Sequence, residues 1–404
     1  MRYVALVLAV GWALGASTAL AKLEVVGAYD PQTPSLNASV VALDATAYLG
    51  SWGSETHCDA PGVRVIDLHD PTTPALEAVA AVYPRTTAEH LAVLHHQSAT
   101  FSGTLLAVGI QRCAAVGDEG GLALWDVTNP TDPRELSYFG VGVQPRGVHE
   151  LTIGHLDGQL LAYLAVSNSE ALDGHGDLRI VDITDPHAPV EIASWGAHSA
   201  TGLPVGLKDQ CAPECRGVSQ RALLHSVALA PDQRTAYLSY WDLGLFVVDV
   251  SKPSSPRLLG HFMEPPEADG NTHSVAIADG QVALVADETF SPPWGVLHMV
   301  DVTDPTAPME IGTFATREAA IGAPAGVERW FTVHNAYVDP RDPKRAFVAW
   351  YSDGVRMLDI SNPRAPVELD GWVPAQDPFV WSVAFLDDFV LVGDVHSGLY
   401  VLRR

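Results

Sequence analysis

The chain has 404 residues, of which 47% are hydrophobic and only 18% are charged, and its formal net charge is −25. This acidity argues against nucleic acids and anionic membranes as partners, because both are bound through clustered lysine and arginine. The hydrophobic content is ample for a large buried core.

The first predicted element is a targeting segment. Arg2 is followed by an apolar run, and a small-residue cleavage pattern ends at Ala21. The apolar run is too short to span a bilayer, so residues 1–21 are predicted to be a signal peptide. No later segment approaches the length of a membrane helix. We therefore expect residues 22–404 to form one domain without a membrane span, either secreted or periplasmic at the cell envelope.

Six times the chain repeats one phrase, which consists of an apolar run, an aspartate and then Pro-x-x-Pro. Successive aspartates lie 52 to 67 positions apart. A recurring period of this size indicates a repeat architecture. Aspartate can cap backbone N–H groups at the start of a turn, and proline favours an extended link, so the phrase is interpreted as structural. The aspartates are Asp67, Asp126, Asp182, Asp249, Asp301 and Asp359.

One repeat, from His225 to Phe262, divides into four short strands. They are predicted over residues 226–230, 236–240, 245–249 and 257–262, with turns between them. Four short antiparallel strands at this period describe a propeller blade. Because seven first strands can be counted, the fold class is predicted to be all-β, a seven-bladed β-propeller of four-stranded antiparallel blades.

The last repeat ends after its third strand, and the N-terminus offers a replacement for the fourth. The segment Leu23–Tyr29 is similar to the fourth strands of other repeats. A strand donated from the other end of the chain would cover two edges and close the ring. Residues 23–34 also match the third-strand phrase. The closing role is favoured because few residues remain before the first blade.

The four cysteines are an even number, as expected for an exported chain. Cys211 and Cys215 lie four positions apart in a proline-containing loop and could close a small ring. That leaves Cys58 to pair with Cys113, and both loops are expected on the same face. A four-cysteine metal site is disfavoured because two Cys-x-x-Cys pairs are missing.

Two of the phrases carry a family resemblance. The segments Leu178-Arg-Ile-Val-Asp182-Ile-Thr-Asp-Pro and Leu245-Phe-Val-Val-Asp249-Val-Ser-Lys-Pro resemble the LVIVD repeat family. The resemblance extends over essentially all of residues 22–404. It implies an exported, mostly bacterial β-propeller and implies no particular reaction, because most members have no assigned activity.

Five of the seven first strands begin with histidine. In a propeller the first strand is innermost, so these side chains are expected around one mouth of the central channel. Neutral imidazole is the commonest transition-metal ligand, and three or four of them with an open position suit Cu, Fe or Zn. Two other interpretations stay open: histidines that pin adjacent blades, and a metal-free ligand-binding or catalytic ring. The residues are His90, His149, His225, His273 and His334.

Acidic residues that follow the second strands are expected to open on the same face. They could orient a ligating histidine or act as a general base, although such residues are more often turn formers. Two insertions, residues 196–222 and 315–330, are also expected there, as part of a binding site, as a lid or as simple loop growth. The acidic residues are Asp242, Asp287, Glu288, Asp353 and Asp394.

Two functional hypotheses follow. The first is an exported propeller with one axial transition metal (Cu, Fe or Zn), acting as a metal-dependent oxidoreductase on an unidentified small molecule. The second is a non-enzymatic binding or scaffolding propeller that recognises an envelope protein or a glycan through its loop-rich face. Serine-hydrolase, P-loop, dinucleotide and zincin patterns are absent from the sequence. In both cases we expect a monomer.

Overall fold

The computed structural model describes residues 22–32, 36–53, 58, 62–113, 119–143, 145–211, 215, 219–264, 270–322 and 329–404. The predicted signal peptide, residues 1–21, lies outside this part of the chain. Among the described residues, no helix is both long enough and apolar enough to cross a membrane.

The first half of the chain consists of short strands joined by tight turns. At Asp44 and Gly158 the turns have positive φ values of 53° and 90°, a conformation that aspartate and glycine adopt more readily than other residues. The elements are β1 (Glu24–Tyr29), β2 (Leu36–Leu43), β3 (Thr46–Trp52), β4 (Val63–Asp67), β5 (Ala75–Ala80), β6 (Thr86–Gln97), β7 (Ser102–Arg112), β8 (Gly121–Asp126), β9 (Arg134–Gly140), β10 (Glu150–Leu156), β11 (Gln159–Ala165), α1 (Ser169–Asp173), β12 (Leu178–Asp182) and β13 (Val190–Trp195).

The second half continues the pattern, and its two insertions contain short helices that the sequence did not predict. Segments of four or five residues are too short to show a helical period. The elements are α2 (Ala197–Thr201), β14 (Gly206–Leu207), α3 (Lys208–Cys211), β15 (Arg221–Ala222), β16 (Leu224–Leu229), β17 (Thr235–Tyr240), β18 (Gly244–Asp249), β19 (Arg257–Phe262), β20 (Thr272–Ala278), β21 (Val282–Asp287), β22 (Leu297–Asp301), β23 (Met309–Phe314), α4 (Arg317–Ile321), β24 (Asn335–Asp339), β25 (Asp342–Ala349), β26 (Val355–Asp359), β27 (Val367–Trp372), β28 (Val380–Leu386), β29 (Phe389–Asp394) and β30 (Gly398–Arg403).

The strands pair antiparallel, mostly in chain order, as four-stranded sets. Separate sheets are formed by β10–β13, β16–β19, β20–β23 and β24–β27. The sets β2–β5 and β6–β9 are joined into one sheet by the single pair Ser51–Ala88. The sheet of β28, β29 and β30 is completed by β1 from the N-terminus. The molecule therefore has an all-β, propeller-like fold, as the repeats predict.

Adjacent sets are held together by buried apolar faces. Tyr163 and Ile180 of one set share a core cluster with Leu238 and Phe246 of the next. Because side chains alternate between the two faces of a strand, each inner strand can contribute to the cores on both of its sides.

The outermost strand of a set also contacts the turn that carries the Pro-x-x-Pro phrase of the following set. Where these strands bulge, glycine allows close approach, because a Cβ atom there would overlap a proline carbonyl oxygen. Strand β1 makes the same contact with the turn after β4, which is evidence that β1 acts as an outer strand. The glycine–proline pairs are Gly260 with Pro305, Gly312 with Pro363 and, for β1, Gly27 with Pro71.

Both predicted disulfides are present in the structure. Cys58 pairs with Cys113 across 55 positions, and Cys211 pairs with Cys215 within the first insertion. No other cysteine occurs in the sequence, so a cysteine metal site has no ligands available.

Candidate metal centre

Four histidines lie in, or directly before, the first strand of four successive four-stranded sets. His225 lies between Leu224, which pairs with Tyr240, and Ser226, which pairs with Ser239. The shift in register marks a β-bulge, and the register shifts in the same way around His273. A bulge changes the direction of a side chain, which is why bulges are frequent next to active sites.

The four rings form a continuous row. Ring centroids are 4.1 Å apart for His149 and His225, 3.9 Å for His225 and His273, and 4.4 Å for His273 and His334. His90 stands outside this row of contacts, since its Nδ1 accepts a hydrogen bond from the Leu151 N–H at 3.4 Å. The structure thus brings together four of the five histidines singled out in the sequence.

Three side chains in this row form a two-histidine, one-carboxylate group. His273, Glu288 and His334 place one ligand atom each within 4.8 Å of the others. His334 Nδ1 lies 2.6 Å from the carbonyl oxygen of Trp381, so Nδ1–H donates there and Nε2 is left with its lone pair. Tyr351 donates its hydroxyl hydrogen to Glu288 Oε1, which leaves Oε2 available at 3.7 Å from His273 Nε2.

A second group of the same composition shares His273. Glu150, His225 and His273 also place ligand atoms within 4.8 Å of one another. His225 Nδ1 lies 3.9 Å from Glu150 Oε1 and makes no hydrogen bond within the described part of the chain. Its other nitrogen, Nε2, lies 2.7 Å from His149 Nε2, so one of these two imidazoles donates to the other.

Burial favours neutral forms throughout this cluster. It lowers the pKa of His334 to about 3 and holds the pKa values of His225 and His273 well below their usual range. It also raises the pKa of Glu150 to about 8 and that of Glu288 to about 7. Neutral imidazoles keep the lone pairs that a metal needs, and a bound cation would favour ionised carboxylates.

His149 differs from the other histidines in the row. Burial acts to lower its pKa, but the charge of Glu89 and a hydrogen bond to that carboxylate outweigh burial, so the pKa is raised. Gln111 joins the two groups, with its Nε2 at 2.9 Å from Glu89 Oε2 and 2.7 Å from His149 Nδ1. One end of the row is therefore His149, which the Glu89 carboxylate supports. The other end is the group of His273, Glu288 and His334.

A cavity of about 780 Å³ lies over the row. Its lining includes His149, His225, His273, Glu288 and His334. One wall is a chain of aromatic rings in which neighbouring centroids lie 4.3 to 5.9 Å apart. The lining also carries three arginines, one of which lies over the Trp241 ring, so the cavity offers both apolar and cationic surfaces. The aromatic residues are Trp241, Phe290, Trp330, Phe379, Tyr351, Trp381 and Trp52, and the arginines are Arg112, Arg146 and Arg221.

The predicted acidic residues have different positions. Only Glu288 belongs to the group described above. Asp242 accepts a hydrogen bond from the Arg221 N–H, and Asp394 accepts one from the Phe379 N–H, so both hold the wall of the cavity. Asp353 accepts a hydrogen bond from the Thr316 hydroxyl at the start of α4. Asp287 lies beside His298 in a separate cluster.

Several residues of the site were missed in the sequence. Glu89 and Glu150 are each adjacent in sequence to a histidine of the repeat, and this adjacency could have identified them as site residues. Tyr351 and Gln111 had no such signal, since they come from strand ends of other repeats. Both long insertions reach the cavity, through Leu207 and Arg221 from the first and Trp330 from the second.

The hydroxyl of Tyr351 gives a test of the group. Replacing Tyr351 by Phe removes the hydrogen bond that orients Glu288, and we expect metal affinity to fall roughly 10–100-fold, as for other outer partners of metal ligands. Tyr240→Phe is the matched control, because Tyr240 is also fully buried and also loses one hydrogen bond, from the Ala197 N–H. Titration with Fe(II) under anaerobic conditions measures both. Equal affinities for the two variants would contradict this role.

Comparison with known proteins supports the fold. The LVIVD repeat model matches residues 172–196, 236–264, 269–316 and 345–370. A crystal structure of a protein from Lactobacillus plantarum, solved by the Northeast Structural Genomics Consortium, has 15% sequence identity to this chain and a TM-score of 0.57. The match covers 89% of this chain and 87% of the Lactobacillus plantarum chain. At this identity the likeness concerns the fold alone. No curated protein matches the sequence. The predicted LVIVD repeats are thus confirmed at four stretches.

Proposed function

We propose that this protein, which carries LVIVD repeats, holds one transition-metal ion between His273, Glu288 and His334 and uses it to oxidise a small organic molecule. The observation that carries the proposal is the two-histidine, one-carboxylate group at the floor of a cavity. This ligand set with open coordination positions is typical of non-haem Fe(II) oxygenases. Iron is therefore the first candidate, and Cu or Zn are the alternatives.

The protein residues divide into ligands and supports. The bound metal would supply open coordination positions facing the cavity, where redox chemistry can occur. Trp381 and Tyr351 fix the orientation of His334 and Glu288 through hydrogen bonds. His149 and His225 line the same floor and are hydrogen-bonded to each other, and Glu89 lies 3.4 Å from His149, so these groups could hold a proton beside the reacting molecule.

The proposed architecture is a closed ring of seven four-stranded blades, with β1 as the outer strand of the last. It rests on the pairing of β1 with β30 and on the contact of Gly27 with Pro71, which repeats the contacts between other neighbouring sets. A closed ring brings the starts of all innermost strands to one mouth of the channel. That placement explains why histidines distant in sequence meet.

A substitution in β1 tests the ring closure. Gly27→Val would force its side chain into the Pro71 carbonyl, and we expect a loss of about 1–3 kcal/mol in the free energy of unfolding. Ala28→Val adds apolar atoms at the neighbouring exposed position and is expected to change stability by less than about 0.5 kcal/mol. Chemical denaturation measures both, and similar values for the two variants would contradict the docking of β1.

The lining of the cavity supports one class of substrate. Its aromatic rings would pack on a flat apolar body, and its guanidinium groups would pair with an anionic group. Arg146 and Arg221 form no ion pair with a carboxylate among the described residues, in a chain with 48 acidic and 23 basic residues. We therefore propose an aromatic carboxylate, or a similar planar anion, as the substrate.

Replacing Arg221 by Gln tests this class. Arg221 lies 5.5 Å from the centre of the Trp241 ring, and loss of one charged hydrogen bond is expected to weaken binding of an aromatic carboxylate about 10–100-fold. The corresponding neutral alcohol is expected to bind both forms equally. Arg234→Gln is the control, because Arg234 pairs with Asp157 away from the cavity. Calorimetric titration with benzoate and benzyl alcohol distinguishes these outcomes, and equal losses for both ligands would exclude an anion site.

The function itself is tested by loading the purified mature protein with Fe(II), Cu(II) or Zn(II) in separate anaerobic samples. The proposal predicts one tightly bound iron per chain and consumption of oxygen when a bound aromatic carboxylate is present. If the protein bound zinc but neither iron nor copper, the proposed reaction would instead be a hydrolysis. Absence of any bound metal, with intact binding of an envelope protein or glycan, would instead support the non-enzymatic alternative.

Export remains part of the proposal. It rests on the sequence of residues 1–21 and on the two disulfides, which are compatible with an oxidising, extracellular compartment. Partners of the loop-rich face and the monomeric state stay predictions.

A further inference from the structure

A second buried cluster lies beside the β20–β23 sheet, outside the row of histidines. Glu264 follows β19, Asp287 ends β21 and His298 lies in β22. Their exposed fractions are 2%, 5% and 5%. One ligand atom from each lies within 4.8 Å of the others. We propose that these three residues form a second, structural site for a divalent transition-metal cation, zinc or manganese.

The orientation of His298 is the first support. Its Nδ1 lies 2.6 Å from Glu310 Oε2, on the side away from the cluster. With Nδ1–H donated to this carboxylate, Nε2 carries the lone pair and faces Glu264 and Asp287. A carboxylate that holds the far nitrogen of a histidine is the usual outer support of a metal ligand.

The second support is that His298 Nε2 has no hydrogen-bond partner in the part of the chain that the structure describes, although the atom is buried. It lies 4.0 Å from Asp287 Oδ2, beyond hydrogen-bond distance. Two ligands that each lie about 2.1 Å from one ion are separated by roughly 3–4 Å, depending on the angle at the metal. The observed gap leaves no direct hydrogen bond, and it is about 0.6 Å wider than the separation of a tetrahedral pair, so an ion would draw the two atoms slightly together.

The third support is the charge and the surrounding contacts. Two carboxylates and one neutral imidazole balance a divalent cation, and mixed nitrogen and oxygen ligands suit zinc or manganese. Thr272 donates its hydroxyl hydrogen to Glu264 Oε1 at 2.7 Å, which fixes that carboxylate from the neighbouring strand. The cluster thus has ligands from three elements, two of them oriented by outer partners.

An ion bound at this second site would also affect the position of Glu288 in the row of histidines. Asp287 and Glu288 are consecutive, and they point to the second cluster and to the row of histidines respectively. The Glu288 N–H donates to the Asn271 carbonyl, so the strand end is already anchored on one side. An ion that held Asp287 would anchor the other side and help to keep Glu288 in place.

The test uses the full mature chain in a His273→Ala background, which removes the residue shared by both channel groups. In this background we expect one zinc or manganese ion per chain by mass spectrometry after dialysis, and a rise in melting temperature of roughly 5 °C on metal addition. Adding His298→Gln is expected to abolish both effects. Adding Glu310→Gln is expected to leave the protein folded and to lower affinity roughly 10–100-fold.

Two results would overturn the proposal. One is a His273→Ala protein that retains no metal and shows no thermal shift. The other is an ion retained after His298→Gln or with unchanged affinity after Glu310→Gln. Neither of these results depends on metal binding by the row of histidines. If that row bound no metal, the wild type and the His273→Ala variant would have the same metal content. If His298→Gln does not fold, the Glu310→Gln comparison decides alone.

Discussion

Replacing His273 by Ala is expected to disrupt the proposed metal site at the floor of the cavity, with a loss of at least roughly 100-fold in affinity for Fe(II). His273 belongs to both groups of two histidines and one carboxylate, so neither group keeps its composition without it. Loss of one imidazole leaves two protein ligands, which hold a divalent ion weakly. Anaerobic titration with Fe(II), followed by counting of the bound metal, measures the effect.

The control for this substitution is His396→Ala. His396 also lines the cavity, but its Nδ1 contacts the Asp377 carbonyl at 3.0 Å and it belongs to none of the three-ligand groups found among the described residues. Affinity for Fe(II) is expected to be unchanged. If both variants lost metal equally, binding would arise from the cavity rim rather than from the row of histidines.

Removing the long disulfide is expected to have the largest effect on stability. Cys58 and Cys113 are 55 positions apart, and the loss of such a link lowers the free energy of unfolding by roughly 4 kcal/mol in the chain-entropy account. The double variant Cys58→Ser, Cys113→Ser, unfolded in guanidinium chloride under non-reducing conditions, measures the loss. The Arg146 guanidinium donates to the Cys113 carbonyl at 3.0 Å, so the position of Arg146 in the cavity lining is expected to loosen as well.

The shorter disulfide supplies the comparison. Cys211 and Cys215 are only four positions apart, and the same account gives about 2 kcal/mol for the variant Cys211→Ser, Cys215→Ser. A larger loss for the short link than for the long one would contradict the entropic explanation and place the effect in local packing of the first insertion.

Much of the fold follows from repeated local chemistry. The aspartate and proline phrase recurs because each set needs the same turn, and strand bounds follow from short alternating apolar runs. Some bounds differ. The strand predicted to begin at Ser226 begins at Leu224, because the bulge at His225 interrupts the pattern without ending the pairing. Chain order then leaves few ways to arrange the sets.

The site was predictable only where it follows the repeat. Histidines at equivalent positions could be expected to lie close together, and four of them form a row of neighbouring rings. His90 was predicted to lie with them, but its side chain contacts Leu151 instead. Tyr351 and the three arginines of the cavity come from loops and strand ends with no repeated pattern. Their contacts depend on how separate sets pack, which local sequence does not encode.

The most direct test of the metal centre is anomalous diffraction at the iron absorption edge from crystals grown anaerobically with Fe(II). We expect a peak between His273, Glu288 and His334, at about 2.0–2.2 Å from one atom of each, as for first-row metals with nitrogen and oxygen ligands. An empty map at this position in crystals of iron-loaded protein, or a peak elsewhere in the cavity, would contradict it.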